Sequence, residues 1–289
     1  MHPRLLARQL YVDLVRTRSR VRIVAASEPR LDVTPIFIIG LYRSGTTLLR
    51  YLIDSHSKIA CPPETDFIHL LEPLLLDFRA QEGFNSIGIN RDHLIARLQH
   101  FISYFYENYA KSCGKLRWAD KSPLYVDHLQ TLRTIYPTAA FVILHRHPLD
   151  QIHSHARAGR NAHAPLLQYQ SVGEDLRLAA ARYWVDKTQK ILDFAKSSPN
   201  SRQLTYEQLC AEPEKTMRGI CDFLGAPWEP GVLQFWRMNH DVGMEAASAR
   251  RSTGFAPRSG EFAEWDGDTL RKCKRIVRPT ATLLGYEVD

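Results

Sequence analysis

Apolar positions along the chain keep two rhythms. Ile36-Phe37-Ile38-Ile39 is a short continuous run between Pro35 and Gly40, and Ala140-Phe141-Val142-Ile143-Leu144 is a second. Unbroken runs of this length predict strands of a parallel sheet with both faces covered. Leu116–Ala119 and Ser201–Thr205 read as two further strands. The other rhythm is helical. Leu48, Leu49, Leu52 and Ile53 form a stripe after Thr46, and Phe67, Leu70, Leu71, Leu74 and Leu75 form another, which predicts a helix over Glu64–Phe78. Leu94–Tyr109 and Asp175–Phe194 predict two long helices, and Pro148 opens another at a favoured first-turn position. Gln81–Arg91, with Gly83 and Gly88, predicts a loop that shapes or covers a site. Strands alternating with helices give an α/β class, a P-loop-like parallel sheet flanked by helices, with ligands at the carboxyl ends of the strands. No repeat or linker divides the chain. It reads as one domain over 1–289, with a helical lead-in at 1–30, a core at 35–225 and a mainly helical segment at 226–289.

The first strand meets its helix through Gly40-Leu-Tyr-Arg43-Ser44-Gly45-Thr46-Thr47-Leu48. A glycine-bounded loop that opens onto a helix N-terminus aims backbone N–H groups and a helix dipole at one spot, which suits an anion. The spacing is that of a Walker A motif, yet Thr46 stands where the lysine that reaches the β- and γ-phosphates belongs. A single terminal phosphate held by Arg43, hydroxyls and amides of the loop fits better than a nucleoside triphosphate. Plain strand–helix packing is the competing account of the same residues. The second strand ends in Arg146, and Ser154 follows eight residues later on the next helix. Together they suit a second phosphate; a strand-end ion pair is the alternative for Arg146.

In this order the motifs resemble the sulfotransferases that use 3′-phosphoadenosine 5′-phosphosulfate. The resemblance runs from about Pro35 to Gly225. It implies that Arg43, Ser44, Gly45, Thr46, Thr47 and Leu48 form the 5′-phosphosulfate loop, and that Arg146 and Ser154 clamp the 3′-phosphate. Tyr206, in Leu204-Thr-Tyr206-Glu, lies in the segment near the nucleotide. Lys121, in Trp118-Ala-Asp-Lys121-Ser-Pro123, stands beside the transferred group. The chain most resembles tyrosylprotein sulfotransferases and their bacterial relatives. Glu64, in Pro63-Glu64-Thr65-Asp66 and 21 residues after Arg43, then matches the catalytic base. A hydroxyl with a pKa of about 10 or above needs such a group to take its proton. The resemblance also implies a basic loop over the 3′-phosphate, with Ser252 and Arg258 as its candidates. Where those relatives carry an arginine that helps hold acidic peptides, this chain has Asp66. The expected acceptor is therefore a hydroxyl of a small metabolite, lipid or saccharide, with protein tyrosine as the alternative. His56 and His69 stand in no matching motif.

Composition changes the picture in three places. A net charge of +7 fits an anionic ligand, but no nucleic-acid-binding signature accompanies it. Five scattered cysteines without a C-x-x-C argue against disulfides or zinc and for a cytoplasmic chain; the expectation is that no metal is required. No apolar run approaches the ~18 residues of a membrane span, and no signal peptide is expected. Leu5, Leu6, Leu10, Val12, Leu14 and Val15 among basic residues allow at most a weak membrane-surface contact. His145-x-His147 lacks partners at metal-ligand spacing. A kinase on the same fold is opposed by the absent lysine. A non-catalytic nucleotide- or anion-binding protein is opposed by Glu64 and Lys121 beside Arg43.

Overall fold

The computed structural model describes residues 33–158, 163–243, 253–256 and 259–289. The helical lead-in at 1–30, Ser252 and Arg258 lie outside them. Five parallel strands form the centre: β1 (Ile36–Ile39), β2 (Ile59–Ala60), β3 (Arg117–Lys121), β4 (Ala140–His145) and β5 (Ser201–Thr205), in the spatial order β2-β3-β1-β4-β5. Ile36 lies opposite both Ala119 and Ala140, and Ile38 opposite Lys121 and Val142. Both predicted apolar runs are therefore inner strands, and successive side chains serve opposite faces. Phe37, Ile39, Phe141 and Ile143 join one core, while Ile36, Ile38, Val142 and Leu144 join the other.

The first core is covered by α4 (Arg91–Ser112), α7 (Leu176–Lys196) and α10 (Gly267–Leu283); the second by α1 (Thr46–Asp54) and α9 (Pro213–Leu224). Phe37 sits among the rings of Trp118, Tyr125, Tyr136 and Phe141, with centroids 5.7–5.9 Å away. Aromatic arrangements of this kind contribute about 0.5–1.5 kcal/mol each beyond area burial.

Three local expectations change. Glu64–Phe78 is not one helix. Residues 64–67 are irregular, a 3₁₀ turn covers Ile68–Leu71, and only Glu72–Leu76 (α2) is α-helical. Asp66 has φ 49°, outside the right-handed helical region. Conversely, much of the expected loop at Gln81–Arg91 is helix α3 (Phe78–Ser86), because the Asp77 carboxylate accepts from the Ala80 N–H at 2.9 Å and caps it. Strand β2 was not expected at all; two residues are too few to show an alternation. The remaining helices are α5 (Leu129–Ile135), α6 (Pro148–Ala156) and α8 (Tyr206–Ala211). Among the described residues no helix is long and apolar enough to cross a membrane.

Candidate active site

The loop between β1 and α1 is held open by conformations that its sequence makes affordable. Gly45 has φ 99°, and a Cβ built there would lie 2.5 Å from Cδ2 of Tyr206. A Cβ on Gly40 would lie 2.9 Å from the backbone oxygen of Leu144. Both glycines thus allow close approaches that no other residue permits. Arg43 also occupies the left-handed region, at φ 68°. The Ser44 N–H and hydroxyl both donate to the Leu41 carbonyl, at 3.1 and 2.8 Å, which closes the turn. The Leu48 N–H donates to Gly45 at 3.0 Å as the helix begins. Thr46 is buried; Thr47 and Leu48 are half-buried.

Strand β4 and the helix after it bring the two residues expected to clamp a phosphate to the same loop. Arg146 and Ser154 converge on Arg43: Arg43 Nε donates to Ser154 Oγ at 3.0 Å, and Arg146 Nη1 donates to the Arg43 carbonyl at 2.9 Å. The Arg146 guanidinium also lies 4.8 Å from the centre of the Tyr206 ring. Tyr206 follows β5, where Thr205 forms a reciprocal capping box with Gln208. Two guanidinium groups, a hydroxyl and a glycine-shaped helix N-terminus thus surround one spot, a chemistry suited to phosphate or sulfate oxygens.

Beside the loop, β3 ends in Asp120 and Lys121. The buried Lys121 Nζ hydrogen-bonds the Glu64 carboxylate in an ion pair. Ser122 Oγ donates to Asp66 at 2.5 Å. Glu64 and Asp66 face the same space as Tyr42, whose hydroxyl is pushed up to about 12 by burial and then by those two negative charges. Behind the pair, Asp120 is fully buried. Its Oδ2 accepts from the hydroxyls of Tyr106 (2.5 Å) and Tyr125, and its Oδ1 from the Lys121 N–H at 2.9 Å. Burial pushes its carboxyl up to about 6 against those bonds, which favour the ionised form.

Arg43, Ser44, Gly45, Thr46, Thr47, Leu48, Arg146, Ser154, Tyr206, Glu64 and Lys121 therefore come to the carboxyl ends of β1, β3, β4 and β5. His56 and His69 do not join them. His56 meets the Pro227 carbonyl at 2.8 Å, and His69 faces His128 with ring centres 5.3 Å apart. Among the described residues no three His, Cys, Asp or Glu side chains gather as metal ligands. Sequence reasoning passed over Tyr42, Asp120 and Glu207. Glu207 accepts from the His147 N–H at 2.9 Å and from the Tyr286 hydroxyl at 2.8 Å, fastening the strand-end segment to the chain's last residues. Asp120 carried a signal, being a carboxylate inside an otherwise buried strand.

Comparison with known proteins agrees with this geometry. The profile described as "Sulfotransferase family" matches residues 35–230, and the chain belongs to that family. It is 27% identical to "Protein-tyrosine sulfotransferase 1" of Danio rerio over 268 residues, covering 89% of this chain and 73% of the relative. It is 25% identical to "Putative protein-tyrosine sulfotransferase" of Caenorhabditis briggsae, covering 88% and 89%. Its fold is similar to the sulfotransferase domain of the Synechococcus PCC 7002 olefin synthase, with a TM-score of 0.60 at 19% identity over 93% of this chain and 99% of that domain.

Proposed function

We propose that this sulfotransferase moves a sulfuryl group from 3′-phosphoadenosine 5′-phosphosulfate to a hydroxyl of a small metabolite, lipid or saccharide, with Glu64 as general base. When bound, the donor supplies a sulfuryl group on a phosphate leaving group. The observation that carries the reading is the Lys121–Glu64 pair at the end of β3, adjoining the anion-cradling loop on β1. Glu64 takes the acceptor proton as the acceptor oxygen bonds to sulfur, which makes a poor nucleophile competent. Arg43, Lys121 and the loop amides offset the negative charge that builds on the departing phosphate oxygen. Arg146, Ser154 and Tyr206 hold the nucleotide end. Lys121 also fixes the orientation of the Glu64 carboxylate.

Asp66 argues for the acceptor class. It sets a second carboxylate beside Glu64, and like charge disfavours an acidic peptide there. Phe67, next in sequence, meets half-exposed Phe101 and Phe105 with ring centres 6.3 and 5.8 Å away, which supplies apolar surface near the base. Protein-tyrosine sulfation is the second reading, favoured by the names of the similar proteins.

Sulfur-labelled donor and a metabolite extract, with wild type beside Glu64→Ala, separate these readings. Label in a small product with wild type alone supports the proposal. Label on protein supports the tyrosine reading. If adenosine 3′,5′-bisphosphate binds but no label moves, the extract lacks the acceptor or the chain is a binder; if it does not bind, the donor assignment fails.

A further inference from the structure

Among the buried polar groups that the proposed chemistry does not use, Asp120 accepts three hydrogen bonds. It lies inside β3 with no exposed surface, among Trp118, Tyr106 and Tyr125, where an isolated carboxylate is costly. Its three hydrogen bonds run toward the site. One reaches the backbone N–H of Lys121. A second passes through Tyr106: that hydroxyl donates to Asp120 Oδ2 and, being thus committed, accepts from Thr65 Oγ1 at 2.6 Å. Thr65 is the residue after Glu64. The third, from Tyr125, anchors the 3₁₀ turn Pro123–Asp127 that follows the strand. The two members of the ion pair sit on segments 57 positions apart in sequence, and Asp120 touches the backbone of one while reaching the neighbour of the other through one phenol.

We infer that Asp120 is a positioning residue for sulfuryl transfer, setting the Glu64 carboxylate and the Lys121 ammonium relative to each other through Tyr106 and Thr65. The inference rests on the proposed roles of Glu64 and Lys121. Glu64 stands on irregular chain, followed by Asp66 at φ 49°, so neither a helix nor a strand fixes its backbone. The Thr65–Tyr106–Asp120 chain takes over that task, and the Ser122–Asp66 bond ties down the other side. A base displaced by about 1 Å loses on the order of a hundredfold in rate, so such fixing has a large kinetic consequence.

Tyr106→Phe tests this with little risk to folding, since it keeps the ring and removes only the link between Asp120 and Thr65. Two readouts are taken. Without substrate, hydrogen exchange should rise across 61–67 and stay unchanged in β1. With the acceptor found in the labelling experiment, kcat should fall roughly tenfold or more, while the affinity for adenosine 3′,5′-bisphosphate is kept. In the Glu64→Ala background Tyr106→Phe should cost nothing further, because a positioning residue has nothing left to position; a purely structural role gives additive losses. Unchanged exchange at 61–67, or additive losses, would overturn the inference. Inactive wild type with normal nucleotide binding overturns instead the reading of Glu64 as a base, and exchange then decides alone whether Asp120 holds the segment.

Discussion

The two sides of β1 are built by different means. On the β4 side, the loop at the anion spot takes its shape from backbone geometry fixed by a few neighbouring residues, namely two glycines that admit no Cβ, a left-handed Arg43 and a turn closed by Ser44, and the side chains of Arg146 and Ser154 close on it. On the β3 side, the proposed base stands on irregular chain and takes its position from side chains far away in sequence: Lys121, Tyr106, Ser122 and Asp120. On the proposed reading, a loop shaped by backbone geometry suits a constant donor, whereas side-chain fastening lets the acceptor half change residue by residue without disturbing the loop. Donor binding and acceptor chemistry should therefore come apart under mutation.

Glu64→Ala gives the largest separation. Turnover should drop by about 10²–10⁴-fold, the usual contribution of a general base, with affinity for adenosine 3′,5′-bisphosphate unchanged by calorimetry. Equal loss of both would mean that the halves are one unit. Gly45→Ala is the mirror experiment. A methyl at φ 99° against Tyr206 should cost about 1–3 kcal/mol in strain alone. The nucleotide should bind at least tenfold more weakly, and normal binding would show that the loop is not the cradle. The third prediction concerns pH. The Asp120 carboxyl, raised from 3.8 to about 6, contributes stability that is complete below about pH 4 and is lost as pH rises through about 6. Urea unfolding should show wild type losing up to about 3 kcal/mol relative to Asp120→Asn across that interval; a constant difference would mean that the carboxyl titrates normally. The smallest effects divide the clamp. Arg146→Ala should weaken nucleotide binding by about 1.5–3 kcal/mol and Ser154→Ala by about 1 kcal/mol, and the reverse order would reassign the principal phosphate contact to Ser154.

What the sequence disclosed follows the same division. The inner strands and the loop were legible because each is contiguous, and Arg146 and Ser154 could be paired because their spacing is fixed along one strand and helix, whereas their meeting with Arg43 needs β4 beside β1. Glu64 and Lys121 could be named but not joined, since their pairing depends on the two-residue strand β2 lying beside β3. Asp120 was visible as a residue and invisible as a hub, because the phenols of Tyr106 and Tyr125 reach it from two other elements. The segment after Glu64 misled in both directions. Its apolar stripe suggested one helix, which Asp66 at positive φ and extended Asp77 interrupt. Helix α3 buries none of its residues, so no inward stripe marked it, and Gly83 within it and Gly88 just after it pointed to a loop. The cap at Asp77 was the only local cue.

The strand order carries a cost at birth. β1 is the earliest strand among the described residues, yet its partners lie at 119–121 and 140–143. While the ribosome adds the intervening residues, Ile36–Ile39 has neither neighbour in place and leaves four apolar side chains and an unpaired edge on each flank. Such distant parallel pairings form slowly, and unpaired edges of this kind invite association between nascent chains. The same central placement that lets β1 present its loop between two sets of side chains leaves both its edges without their partners until residues 119–121 and 140–143 have been made.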